Sequence, residues 1–145
     1  MDKTTLKEHI KLGIFVGEWE TSGSVFATET SQAVAISGTD VYEWLPGGFF
    51  LLHRVKATMG NVGTESTEII GWNAKEQLFL VRSFDAFGNC EEYLMDLCSG
   101  FLSFRSTELR FRGAFSEDKQ ELSGIWEKDD GVGWYPQMET RLIRR

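Results

Sequence analysis

Proline, cysteine and histidine each occur only twice in the 145 residues, and each shortage narrows what the chain can be. Pro46 and Pro136 are too few for a proline-rich linker, and they fall at a turn and near the start of the last extended segment, where a lost donor is tolerated. Cys90 and Cys98 make no disulfide framework and lack the spacing of a zinc site, so they read as reduced thiols. With only His9 and His53, a zinc or haem site needs more ligands than the histidines supply, or a lone axial His53 in a deep pocket; no metal and no cofactor is expected. Positive charge is also scarce, 15 Lys and Arg against 22 Asp and Glu for a net charge of −7, which disfavours binding to a phosphate backbone. Nucleic acid is not an expected partner. No apolar run approaches the roughly 18 residues of a membrane-spanning helix, and the first residues lack the apolar stretch of a secretory signal. A cytoplasmic location is the expectation. The glycines sit at turns, with no phosphate-cradling loop leading into a helix.

What is abundant is aromatic and apolar surface, with 11 Phe, 5 Trp and 3 Tyr in a chain that is 41% hydrophobic, enough for one real core. Residues 1–13 read as a helical lid: Thr5-x-x-Glu8 has the form of a capping box, Leu6 and Ile10 share a face, and Gly13 can end the helix in a left-handed conformation. From Ile14 the period drops to two, and turn signals recur at 27–32, 46–48, 59–63, 73–76, 86–88, 99–100, 107–108, 117–120 and 129–133. They cut out ten strands in one domain over 1–145. Asp85, Asp129 and Asp130 sit where Asp and Gly favour turns for backbone reasons rather than as metal ligands.

Cross-strand partners must share a face, so pairing the strands through the turns tests the scheme. In the second half Val81 opposes Tyr93, Phe79 opposes Met95, Met95 opposes Phe104, Phe104 opposes Phe111 and Phe111 opposes Trp126, which in turn opposes Pro136. One face is thus apolar throughout, continued by Leu102, Leu122, Met138 and Leu142. The other carries Arg82, Glu92, Asp96, Arg105, Arg110, Arg112 and Glu127. Gly113 and Gly124 pair inside the apolar band, permitting sharp curvature or leaving space. Ten such strands in a flat sheet would leave bare edges, so the expected fold is all-β, a closed antiparallel meander barrel. Gly17-Glu18-Trp19 then opens the first strand beside the end of the last, where parity turns Arg144 inward over Trp19. A cation–π contact there closes the barrel. Arg141 takes that place if a bulge near Pro136 shifts the parity.

The segments Val16-Gly17-Glu18-Trp19, Trp44-Leu45-Pro46-Gly47-Gly48-Phe49, Ile70-Gly71-Trp72-Asn73, Ser83-Phe84-Asp85-Ala86-Phe87-Gly88 and Asp130-Gly131-Val132-Gly133-Trp134 span nearly the whole chain. In their order and spacing the chain resembles the calycins, the superfamily of lipocalins and fatty-acid-binding proteins, and within it a bacterial lipocalin-like family of unknown function. The resemblance implies a ten-stranded barrel with an internal cavity and brings no settled activity.

Function is then a question about the lumen. Its expected lining is Tyr42, Trp72, Phe79, Tyr93, Met95, Phe104, Phe111, Trp126 and Met138, either simple core or the wall of a cavity that ten strands leave open. The strand after Pro46 has two orientations. Taken alone it points Phe49, Leu51, His53 and Val55 inward. Parity carried back from the second half points Phe50, Leu52 and Arg54 inward instead, with Arg54 beside Glu68. Both stand at this point. An inward His53 is a hydrogen-bonding or haem-ligating imidazole, or a core histidine satisfied by its neighbours. An inward Arg54–Glu68 pair clamps a polar head, as inward arginines do in fatty-acid-binding proteins, and an outward one is a plain wall ion pair. No catalytic residues are assigned: Ser83, His53 and Asp85 supply the letters of a hydrolytic triad, but Ser83 has no nucleophile elbow. The leading expectation is a binding module for a small apolar or amphipathic ligand. The alternatives are an enzyme using His53 or Glu68 as acid/base and a protein-association module with a filled barrel. Trp44 beside Pro46 marks a rim cover or a dimer contact, so monomer and homodimer both stand.

Overall fold

The computed structural model describes residues 3–145, with side chains from Lys7 onward. A short helix, α1 (Lys3–Ile10), runs into a 3-10 turn (Lys11–Phe15), and ten strands follow: β1 Gly17–Val25, β2 Val34–Trp44, β3 Phe50–Met59, β4 Val62–Asn73, β5 Leu78–Asp85, β6 Cys90–Cys98, β7 Phe101–Arg105, β8 Leu109–Phe115, β9 Glu121–Asp129 and β10 Trp134–Arg144. Each strand pairs antiparallel with its chain neighbours and β10 returns to β1, a closed barrel in meander order. Closure leaves no strand edge unpaired around the ring, so this many alternating strands present no template for further sheet.

The N-terminal segment departs from its sequence reading. Backbone helix already covers Lys3, so Thr5 lies inside the first turn rather than capping it, and the side chains of Thr5 and Leu6 fall outside the described residues. Ile10 faces out at 64% exposure, while His9, Leu12 and Phe15 are buried. Gly13 does not end the helix in a left-handed conformation; the chain tightens into the 3-10 turn, where the Val16 N–H donates to the Gly13 carbonyl at 3.2 Å. With three residues per turn, the 3-10 segment puts Leu12 and Phe15 on one face, buried at one end of the barrel, with Phe15 against Tyr42 and Phe115.

The apolar band of the second half pairs as its parity requires, through Val81–Tyr93, Phe79–Met95, Met95–Phe104, Phe104–Phe111 and Phe111–Trp126. The next step differs. A bulge between Pro136 and Met138 sets Pro136 opposite Glu127 and Met138 opposite Trp126. Proline has no N–H for the ladder, and the extra residue moves it out of the paired band without turning Met138, Thr140 and Leu142 away from the lumen. The bulge therefore preserves the inward face of β10 and leaves Arg144, not Arg141, level with Trp19. Arg141 instead pairs with Glu121 on the outer wall.

The orientation of β3 is decided by its hairpin. Met59 pairs with Val62 across a turn of only two residues, Gly60 and Asn61, rather than the five-residue turn of the parity argument. That one-residue slip turns Leu51, His53 and Val55 inward and Arg54 outward. His53 then lies opposite Glu68, and Arg54 lies opposite Thr67.

Candidate functional site

Barrel closure begins with a tryptophan too large to leave in water and a cation held against it. Trp19 is 1% exposed, its indole N–H donating to the Phe15 carbonyl at 2.8 Å. The Arg144 guanidinium lies 4.1 Å from the indole ring and donates to the Val16 and Ile14 carbonyls at 2.6 and 2.8 Å. Gly17 makes room: its φ is +131°, and a Cβ there would stand 2.9 Å from Arg144 Nη1. The arginine thereby ties the N-terminal segment, β1 and β10 into one plug. Trp44 belongs to the same end, packed edge-on against His9 at 6.3 Å.

Beyond the plug the lumen is not packed solid. A cavity of about 220 Å³ is bounded by Tyr42, Tyr93, Phe104, Phe111, Trp126 and Met138, with Ile36, Val55, Ala57, Met59, Leu122 and Leu142. Trp72, Phe79 and Met95, expected on the same wall, do not reach it. Phe79 and Met95 are buried in the core, and Trp72 packs edge-on against Phe79. Space expected at the Gly113–Gly124 pair is taken by the Phe111 ring, whose Cζ lies where either glycine's Cβ would stand, at 2.6 and 2.4 Å. Phe104 and Trp126 stack nearly parallel at 6.1 Å, giving the cavity an aromatic side.

Its opposite side is polar, built where β1 to β4 place Thr21, Asp40, His53, Ser66 and Glu68 on the inner face. His53 is 7% exposed and Asp40 6%. His53 Nε2 donates to Asp40 Oδ2 at 2.6 Å and Nδ1 donates to Glu68 Oε1 at 2.8 Å. Thr21 Oγ1 donates to the other Asp40 oxygen. Tyr42 stacks on the imidazole, 3.8 Å between centroids and 8° between planes. A neutral imidazole has one N–H, so only the imidazolium satisfies both carboxylates. Burial alone would lower the His53 pKa; the hydrogen bonds to Asp40 and Glu68, with their charges, override it and hold the pKa at about 9. Burial and the same two carboxylates push the Tyr42 phenol well above its ordinary value, so it stays neutral.

Arg54 is not part of this cluster. It lies on the outer wall, bonded to Glu43 at 2.6 Å, and the Arg54–Glu68 clamp does not form. The cation beside Glu68 is His53. Sequence reasoning missed Asp40 and Thr21; the available signal was a carboxylate at the parity of Ile36 and Tyr42, and a hydroxyl two residues past Trp19. With both ring nitrogens engaged by carboxylates, His53 presents no lone pair to an iron and none to Ser83. Asp85 is occupied at its hairpin, accepting from the Phe87 and Asn89 N–H groups at 2.9 Å each, and Asp130 does the same for Val132 and Gly133. Among the described residues no group of three or more His, Cys, Asp and Glu is arranged to hold a metal ion, and no helix is long and apolar enough to cross a membrane.

Residues 4–90 match a family described as "Protein of unknown function (DUF1579)". Among solved structures, the whole chain superposes on 99% of Rv2717c from M. tuberculosis with a TM-score of 0.67 at 13% identity. A de novo designed fluorescence-activating β-barrel aligns over 92% of this chain and 95% of its own with a TM-score of 0.50 at 12% identity. At such identities these likenesses establish the barrel fold. No curated protein matches the chain in sequence.

Proposed function

The chain belongs to the DUF1579 family of proteins of unknown function, and we propose that it is a calycin-like binding protein holding one small, mainly apolar ligand with a polar head inside the barrel. The observation that carries the reading is a lumen with one aromatic side and one buried polar side, joined by a cavity of about 220 Å³. That volume exceeds the roughly 150 Å³ of an apolar cavity that takes up benzene, and falls short of the roughly 300 Å³ at which drug-sized sites begin. The ligand is therefore small, one ring or a short chain, with its apolar part on Phe104 and Trp126 and its head toward Glu68. Both thiols, Cys90 and Cys98, are exposed and unbridged, which suits a reducing compartment and a role in the cytoplasm.

The test is native mass spectrometry of the protein isolated from its own host. A bound mass that is released on denaturation supports the reading. Bare protein, together with failure to take up small aromatic probes at millimolar concentration, contradicts it.

A further inference from the structure

We infer that the head of the ligand is a hydrogen-bond donor carrying positive charge, an amine bound as its ammonium, and that the cavity rejects the carboxylate of the same shape. The inference rests on the proposed binding reading and names its ligand class.

The charges that face the lumen are unequal. Tyr42, His53, Glu68, Ser83 and Glu91 are successive cross-strand partners from β2 to β6 and so share the inner face, with Asp40 one row further in. These two rows set the carboxylates Asp40 and Glu68, with Glu91 at the exposed rim, against one imidazolium. Even with His53 fully protonated, the buried cluster keeps a net negative charge. Among the described residues no lysine or arginine lines the cavity. Arg144, the cation at the closed end, is committed to the Val16 and Ile14 carbonyls. Arg54 and Lys56, on β3 beside His53, are on the outer wall with Glu43 and Glu65.

Hydrogen-bonding capacity points the same way. Each Asp40 oxygen already accepts a bond, one from Thr21 and one from His53, whereas Glu68 spends only Oε1 on His53, and among the described residues Glu68 Oε2 has no donor. Ser66 lies beside it on the cavity wall. A carboxylate ligand would add a third negative charge beside Asp40 and Glu68, and both N–H groups of His53, the one cation there, are already engaged; only hydroxyls remain to meet it. An ammonium places one N–H on Glu68 Oε2 and its charge where the cluster is negative. Its aromatic or alkyl part then reaches Trp126 and Phe104.

Three probes of matched size test this: 2-phenylethylamine, 2-phenylethanol and phenylacetate, titrated at pH 7 by calorimetry and by tryptophan fluorescence. The amine is expected to bind at least tenfold tighter than the acid, with the alcohol between them. Glu68→Gln is expected to weaken the amine about tenfold and to leave the alcohol nearly unchanged, whereas Arg54→Gln on the outer wall changes none of the three. Acid binding as tightly as the amine overturns the inference and leaves the binding reading in place. If none of the three binds, the container reading falls and the inference falls with it.

Discussion

Replacing His53 with glutamine removes the one positive charge from the lumen cluster while keeping a polar side chain of similar reach. The structure sets the size of the effect. The folded-state pKa of about 9 lies above the ordinary value of 6.5, so the folded protein holds a proton that the unfolded chain releases, and the gap corresponds to about 3 kcal/mol. That stabilisation is fully present below pH 6.5 and is lost as pH rises through 9. Below pH 10 the buried Tyr42 adds nothing to this window, because its phenol is neutral in both states. The side chain of His53 is 8% exposed, which keeps solvent screening small. The figure also matches the roughly 3–5 kcal/mol cost of leaving a buried ion pair without one partner. In urea denaturation, with a slope of roughly 1–3 kcal/mol/M, His53→Gln should lower the midpoint by about 1–3 M at pH 6.5. The gap between wild type and variant should then shrink by about 3 kcal/mol between pH 6 and pH 9.5. Taking the difference between the two proteins cancels other groups that titrate in the window. A gap that stays constant across that range would refute the imidazolium reading of the cluster.

Trp19→Ala should cost about 3–5 kcal/mol in the same denaturation assay, since the indole is fully enclosed; an unchanged midpoint contradicts the closure argument. Arg144→Lys should not rescue Arg144→Ala, because an ammonium cannot span the Val16 and Ile14 carbonyls while covering the Trp19 ring; equal stability of lysine and arginine proteins by thermal melt would count against that geometry. Gly124→Ala should cost about 1–3 kcal/mol or more, because a Cβ there would stand 2.4 Å from Phe111 Cζ, 2.5 Å from the Arg112 carbonyl oxygen and 2.7 Å from Gly113 Cα, so that β8 itself must shift; an unchanged thermal melt would contradict that packing. Arg54→Gln should move stability by no more than about 0.5 kcal/mol, as expected for an exposed pair.

The barrel was legible in the sequence wherever turns were tight and faces were unmixed. From β5 to β9 every inward position expected from parity pairs with its expected partner, because Phe79, Met95, Phe104, Phe111 and Trp126 leave no ambiguity about which face is apolar. Parity fails where the backbone inserts or removes a residue. The two-residue Gly60–Asn61 turn slips β3 by one residue and reverses its faces, while the bulge beside Pro136 moves the partner of Trp126 by two, from Pro136 to Met138, and so leaves the faces of β10 unchanged; neither leaves a hydrophobic signature. β3 is the sharper case, since Leu51 and Leu52 supply an apolar residue to either face and only the turn distinguishes them. The site was legible in part for the same reason. His53 and Glu68 stood out as polar residues near an apolar face, but the link between them depended on the β3 register, and Arg54 was the wrong partner. Asp40 and Thr21 went unseen because β1 and β2 mix small and polar residues on both faces. A buried carboxylate there reads as an exposed one until its imidazolium is placed.

The central claim, that the lumen is a binding site for a small amphipathic molecule, is tested most directly by a crystal structure of the protein soaked with 2-phenylethylamine. Density is expected inside the barrel, with the ring on Trp126 and Phe104 and the nitrogen within hydrogen-bonding distance of Glu68 Oε2. A lumen collapsed onto its own side chains, or ligand density found only on the outer wall, would contradict it.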